Sequence, residues 1–115
     1  MASNNSIGVY VMQVAATLTG MHPQTLRKYE RIGLVMPSRH YMVRLYSDED
    51  IARLRMIKHL VDDVGLNLAG VELALKMRDR LLDMKEEIAS AGLSHRLEEH
   101  LTSLLDGMLE MLGSY

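Results

Sequence analysis

The 115-residue chain has no cysteine, no tryptophan and no phenylalanine, and only two prolines. Without cysteine there can be no disulfide framework, no thiolate nucleophile and no thiolate ligand for a metal or redox centre. No apolar run approaches the roughly 20 residues that a membrane-spanning helix needs, so no membrane partner is expected. The opening Met1-Ala-Ser-Asn-Asn-Ser-Ile7 lacks a basic region followed by an apolar run, the pattern of a secretory signal. A soluble protein working in the cytoplasm is the expectation. No phosphate loop, activated nucleophile or carboxylate pair is visible either, so neither an enzyme activity nor a cofactor is expected.

What the chain does have is leucine and methionine. Hydrophobic residues make up 48% of it, ten of them Met, enough for one domain or a small domain with an extension. The net charge of −2 hides a split. From His22 to Ser47, five basic residues (Arg27, Lys28, Arg31, Arg39, Arg44) stand against Glu30 alone, a net +4. From Asn67 onward there are five basic and nine acidic residues, a net −4. Three of the five tyrosines, Tyr29, Tyr41 and Tyr46, fall in the basic stretch. Such segregation suggests a basic contact surface joined to an acidic module with a different task.

Residues 1–8 are small and polar, and disorder is expected there. Val9-Tyr10-Val11 reads as a short extended segment. Met12 to Thr19 reads as a helix with Val14, Ala15 and Leu18 on one face and Gly20 as its stop. A second helix follows almost at once, with His22 as cap, Pro23 at its first position and Gly33 closing it. Leu26, Tyr29 and Ile32 form its expected inner stripe, leaving Gln24, Arg27, Lys28 and Arg31 outside. Two short helices joined by a tight glycine turn make a helix-turn-helix pattern, which any compact helical corner also produces. A short helix with a basic, polar outer face is also what a DNA major groove admits. Leu34 to Pro37 then reads as extended, and Ser38 to Tyr46 alternates as a small β-ribbon would. Ser47 and Asp50 have capping-box spacing ahead of a helix carrying Ile51, Leu54, Ile57, Leu60 and Val61, ended by Gly65.

Asn67 is the next expected cap. Val71, Leu75 and Leu82, with Leu73, Met77, Leu81, Met84, Ile88 and Ala91 near a heptad spacing, mark a helix of roughly 37 Å. Whether residues 67–91 form one continuous helix is left open. Ser94 caps a last helix rich in Leu and Met after the Ala91-Gly92 break. So much apolar surface is a liability on a monomer, and a homodimer interface is expected at Leu81, Met84, Ile88, Leu97, Leu101, Leu104, Leu105, Met108 and Leu112. An adaptable pocket for an apolar ligand is the competing reading of these methionines. His95, Glu98, Glu99 and His100 lie close in sequence, but His95 and His100 sit about 140° apart around a helix, so no metal is expected.

The run Met12-Gln-Val-Ala-Ala16, the motif Pro23-x-Thr25-Leu26-Arg27-x-Tyr29-Glu30-x-x-Gly33-Leu34, then Pro37, Arg39 and Arg44-Leu-Tyr-Ser-Asp-Glu-Asp-Ile51 resemble the MerR family of bacterial transcription regulators. The resemblance covers about residues 9 to 75. His22-Pro-Gln-Thr-Leu-Arg27 and Gly65-Leu-Asn-Leu-Ala-Gly70 look most like its heat-shock repressor subgroup. Two features depart from the family. Met42-Val43 stand where a Gly-Tyr is usual, and the segment from Pro37 to Arg44 is about one residue short.

The resemblance implies a mainly α fold, a winged helix-turn-helix head with a small β wing, followed by long dimerisation helices. Residues 1–8 would be disordered, 9–75 the DNA-binding domain and 76–115 the helical dimerisation region. It implies a homodimer on a double-stranded, pseudo-palindromic DNA operator, repressing stress or chaperone genes, with a chaperone as co-regulator. No separate effector domain is expected. Matched position by position, Gln24, Thr25 and Lys28 are candidate groove contacts, Arg27 and Tyr29 phosphate-side or framework residues, and Arg44 and Tyr46 wing residues. Arg39 and Lys58 join them as basic candidates for the DNA backbone. Arg27 has a second reading as a structural arginine paired with Glu30 or with the third helix. At the level of function, an architectural or recombination accessory protein and a helical interaction adaptor remain as alternatives.

Overall fold

Each helix in this chain begins or ends at a residue suited to that position. A computed structural model describes residues 4–113. The first residues of the expected disordered stretch (1–3) and the last of the dimerisation region (114 and 115) lie outside the described residues. After a 3-10 turn at Asn4–Ser6 come β1 (Gly8–Tyr10), α1 (Met12–Thr19), α2 (Pro23–Arg31), β2 (Ser38–His40), β3 (Val43–Ser47), α3 (Asp48–Asp62), α4 (Leu68–Ser90) and α5 (His95–Leu112). The architecture is mainly α with one small antiparallel sheet in the order β1-β3-β2. The chain divides into two units, 4–58 and 59–113, with the boundary inside α3.

In the first unit, β1 pairs with β3, bringing Gly8 opposite Ser47 and Tyr10 opposite Tyr46. Structure therefore begins ahead of residue 9, because the edge of β3 is covered by this strand and the Tyr10 hydroxyl donates to Asp48 Oδ1 at 2.7 Å. The inner face of α1 differs from the expected one. Val14 and Leu18 are exposed, while Ala15, Ala16 and Thr19 are buried. Small side chains allow close approach on the packed side, and Thr19 satisfies its hydroxyl by donating to Ala15 O at 2.8 Å. Leu26, Val35, Tyr46, Leu54, Met56 and Ile57 are the largest wholly buried side chains described in this unit. Ser47 and Asp50 form the reciprocal capping box at the start of α3: Ser47 N donates to Asp50 Oδ2 at 2.9 Å and Asp50 N to Ser47 Oγ at 3.0 Å.

In the second unit, residues 68–90 are one continuous helix of 23 residues, capped by Asn67 accepting from Gly70 N at 2.8 Å. Its length does not leave it without a partner in its own chain. The turn at residues 91–94, with Gly92 left-handed at φ 68°, folds α5 back along α4 as a hairpin. Leu81, Leu105 and Leu109 form the buried centre, with Leu82, Met84, Ile88 and Leu112 packed around it. Lys85 and Asp106 close one flank at 2.7 Å.

Candidate nucleic-acid interface

The chemistry gathers on α2. His22 Nδ1 accepts from Gln24 N at 3.0 Å, satisfying one free amide of the first turn, and Pro23 has no amide that needs a partner. A step of about 100° per residue then sets Gln24, Arg27, Lys28 and Arg31 on one side. All four are exposed, and Leu26 and Tyr29 are buried on the other. Thr25 is half-buried on one flank and Glu30 on the opposite flank. Ile32 does not extend the inner stripe: the helix stops at Arg31, Ile32 is its C-cap at φ −88° and ψ 3°, and its side chain stays exposed. Among the described residues no ion pair or side-chain hydrogen bond holds Arg27, Lys28 or Arg31.

The wing is a tight antiparallel hairpin in which Ser38 faces Leu45, Arg39 faces Arg44 and His40 faces Val43. Two residues, Tyr41 and Met42, make the turn, which accounts for a segment one residue short. Tyr41 is left-handed at φ 57°, a conformation glycine would take freely. Its ring meets His40 edge-on, with centroids 4.7 Å apart, and is otherwise 89% exposed.

Arg39 and Arg44 are directly opposite one another, so two like charges share one face of the hairpin. Glu30 resolves the conflict. Arg39 Nη2 donates to Glu30 Oε1 at 2.9 Å and Arg44 Nε to Glu30 Oε2 at 2.6 Å. The Glu30 side chain is only 18% exposed, and each of its carboxylate oxygens takes one guanidinium. This occupies the residue proposed to pair with Arg27. It also means that the wing strands are fastened to α2 by charge.

One candidate contact is corrected, and another has a bond inside the head. Tyr46 is wholly buried, with no partner for its hydroxyl among the described residues, and is a core residue rather than a wing contact. Burial, and next the nearby Glu30, push its phenol above the usual value of 10.0. Lys58 caps α1: its Nζ donates to Gly20 O at 2.9 Å and occupies the space a side chain at residue 20 would need. Two further cations of α3 act alike, which the sequence did not signal. Arg55 donates to Leu18 O at 3.0 Å through Nη2, and Arg53 Nε donates to Leu34 O just beyond α2. These bonds satisfy carbonyls left free where the head's helices end. Tyr29, carried as framework or contact, is a buried residue of α2.

In the hairpin, Leu97, Leu104 and Met108 of the proposed dimer surface are exposed, and Leu101, Met84, Ile88 and Leu112 are half-buried. Leu81 and Leu105 are buried between α4 and α5 of the same chain, with Leu81 at the floor of a groove. Met77, Leu81, Met108, Met111 and Leu112, with Arg80, line an almost wholly apolar groove of about 400 Å³. His95 Nε2 lies 3.5 Å from Glu99 Oε2, a helical pair on the surface.

Two short helices with a glycine turn, a β wing beside the second and long helices after it define a winged helix-turn-helix protein. Residues 10–78 match the pattern described as MerR HTH family regulatory protein, and the chain belongs to that family. It is 44% identical over 82 residues to HspR of Streptomyces coelicolor, a protein named for heat shock, covering 70% of this chain and 54% of that one. It therefore spans about half the length of HspR. It is 33% identical over 108 residues to an uncharacterised HTH-type transcriptional regulator of Synechocystis, covering 92% of this chain and 74% of the relative. The HTH-type transcriptional regulator GlnR of Bacillus anthracis is 34% identical over 86 residues, covering 71% of this chain and 66% of GlnR. No helix among the described residues is long and apolar enough to cross a membrane.

Proposed function

We propose that the chain is a cytoplasmic, sequence-specific DNA-binding transcription regulator that represses stress or chaperone genes as a homodimer. The observation that carries the reading is the outer face of α2. Gln24, Arg27, Lys28 and Arg31 are exposed together, and the three cations among them have no ion-pair partner among the described residues. In a major groove, Arg27, Lys28 and Arg31 supply phosphate or guanine contacts, and Gln24 and Thr25 supply hydrogen bonds to base edges. The stress-gene assignment rests on likeness to HspR, a protein named for heat shock, and a chaperone co-regulator is part of the proposal. The second copy docks on the exposed Leu97, Leu104 and Met108 and the apolar groove beside them.

Duplex binding by the parent chain and by Arg27→Ala plus Lys28→Ala tests the DNA reading. Losing two such contacts should weaken binding about 100-fold and make the salt dependence shallower by about two in log–log slope. A parent chain that does not bind duplex DNA at low salt would end this reading. For the dimer, sedimentation should give twice the chain mass, and Leu104→Asp plus Met108→Asp should give the monomer.

A further inference from the structure

The five arginine and lysine side chains between His22 and Ser47 fall into two classes. Arg27, Lys28 and Arg31 stand open on α2. Arg39 and Arg44 are both held by one carboxylate, Glu30, at 2.9 and 2.6 Å. The held pair is the one that would most disturb its own scaffold, because the two arginines are cross-strand neighbours of like charge. Glu30 presents them with two oxygens on one planar group, each accepting from a different guanidinium. That is the chemistry a DNA phosphate offers, and the carboxylate is sheltered enough for the bonds to be strong.

We propose that Glu30 is a positioning and specificity residue that stands in for a backbone phosphate. It aims the two wing arginines and keeps them occupied until a phosphate in the right place displaces it. The proposal rests on the DNA reading above. Arg39 gives Glu30 one N–H through Nη2 and Arg44 one through Nε, and a phosphate takes those donors only by exchange. A loosely placed duplex meets the three open cations of α2 and two arginines whose joint charge Glu30 has reduced by one, so sequence-independent attraction is held down. A duplex seated by the groove contacts of α2 brings its flanking backbone to the wing at a fixed distance, and the exchange can proceed. Glu30 thereby lowers affinity for wrong DNA more than for right DNA, a specificity gained by a competing charge. It touches no base itself.

The test uses the whole chain, Glu30→Gln, Arg39→Gln and the double variant, on two duplexes of equal length. One is the genomic fragment that the parent chain occupies most strongly, and the other is the same fragment with its bases shuffled. Glu30→Gln should bind the shuffled duplex about tenfold more tightly at low salt. Its preference for the genomic fragment should fall about tenfold, and its salt slope on the shuffled duplex should steepen by one to two, as released arginines meet phosphates at about 0.9 each. Arg39→Gln should cost little on the shuffled duplex in the parent and clearly more in the Glu30→Gln background. A residue that merely braced the wing would give the opposite: both duplexes weakened alike, with a shallower slope. That pattern, or an unchanged preference and slope, overturns the proposal. If Glu30→Gln fails to fold, Arg39→Gln alone decides: weakening on the shuffled duplex as large as on the genomic one shows that the arginine was never withheld. A parent chain with no preference between the duplexes removes the DNA reading, and this proposal with it.

Discussion

In residues 4–58 polar side chains fasten one element to the next, whereas in the α4–α5 hairpin a leucine seam does most of that work. The head joins wing to recognition helix through Glu30, and α3 to α1 and the α2 exit through Arg53, Arg55 and Lys58. The hairpin has Leu81, Leu105 and Leu109 at its centre, with the ion pair of Lys85 and Asp106 joining α4 to α5 at its flank. Charged bonds fix direction, which suits a surface whose side chains must point at another molecule. Apolar burial fixes proximity with little regard for angle, which suits a spacer. The basic and acidic halves of the chain follow the same division. Many of the head's cations are occupied internally, however, so its raw charge overstates what it offers DNA.

Substitutions at neighbouring positions should separate the two modes of cohesion. The largest expected effect is in the hairpin: measured at dilutions where the chain is monomeric, Leu105→Ala should cost about 3 kcal/mol of unfolding free energy in denaturant, while the adjacent Leu104→Ala costs less than about 0.5. The contrast follows from burial, with Leu105 6% exposed and Leu104 55%. Equal effects at the two sites would mean that α5 presents a different face to α4. In the head, Ser47→Ala should cost about 1 kcal/mol, since it removes the acceptor for Asp50 N at the start of α3. No change in the denaturation midpoint would count against the capping box.

Two tyrosines sharpen the comparison at smaller scale. Burial holds the Tyr46 phenol above its ordinary value, and its hydrogen bond to Asp48 does the same for Tyr10. Above pH 10 the unfolded chain therefore releases these protons before the folded one, so the folded state binds more protons and stability falls as pH rises. Tyr46→Phe should flatten that alkaline loss and cost nothing near pH 7, because the hydroxyl it removes has no partner among the described residues. A melting curve across pH 8 to pH 11 checks it; an unchanged alkaline slope contradicts it. Smallest of all, Tyr41→Gly should add about 0.5 kcal/mol, relief of left-handed strain at φ 57° partly offset by the greater freedom of glycine when unfolded.

Punctuation was the most legible part of the sequence. His22, Pro23, Ser47 with Asp50, Asn67, Ser94 and the glycines act through their own backbone and close neighbours, and they mark the observed ends. The outer face of α2 was legible for the same reason, since helical spacing alone sets it. Tertiary partners were not. Val14 and Leu18 are larger than Ala15 and Ala16, yet close approach to α2 and β3 favoured the small residues on the packed side. Lys58 and Arg55 read as surface cations because their acceptors are carbonyls 38 and 37 positions away. Glu30 could be seen as the lone acid in a basic stretch, but its role depends on a strand register that no local pattern fixes. The apolar seam of α4 pointed to a partner helix, and spacing could not say that α5 of the same chain supplies much of it.

The most direct measurement is genome-wide footprinting of the whole chain at moderate salt. A homodimer whose α2 helices read successive major grooves should protect paired, inverted half-sites centred about 10–10.5 base pairs apart or a multiple of that. Protection should disappear with Arg27→Ala plus Lys28→Ala. Protection without inverted pairing, or protection that survives those substitutions, would contradict the account of α2 as the reading element.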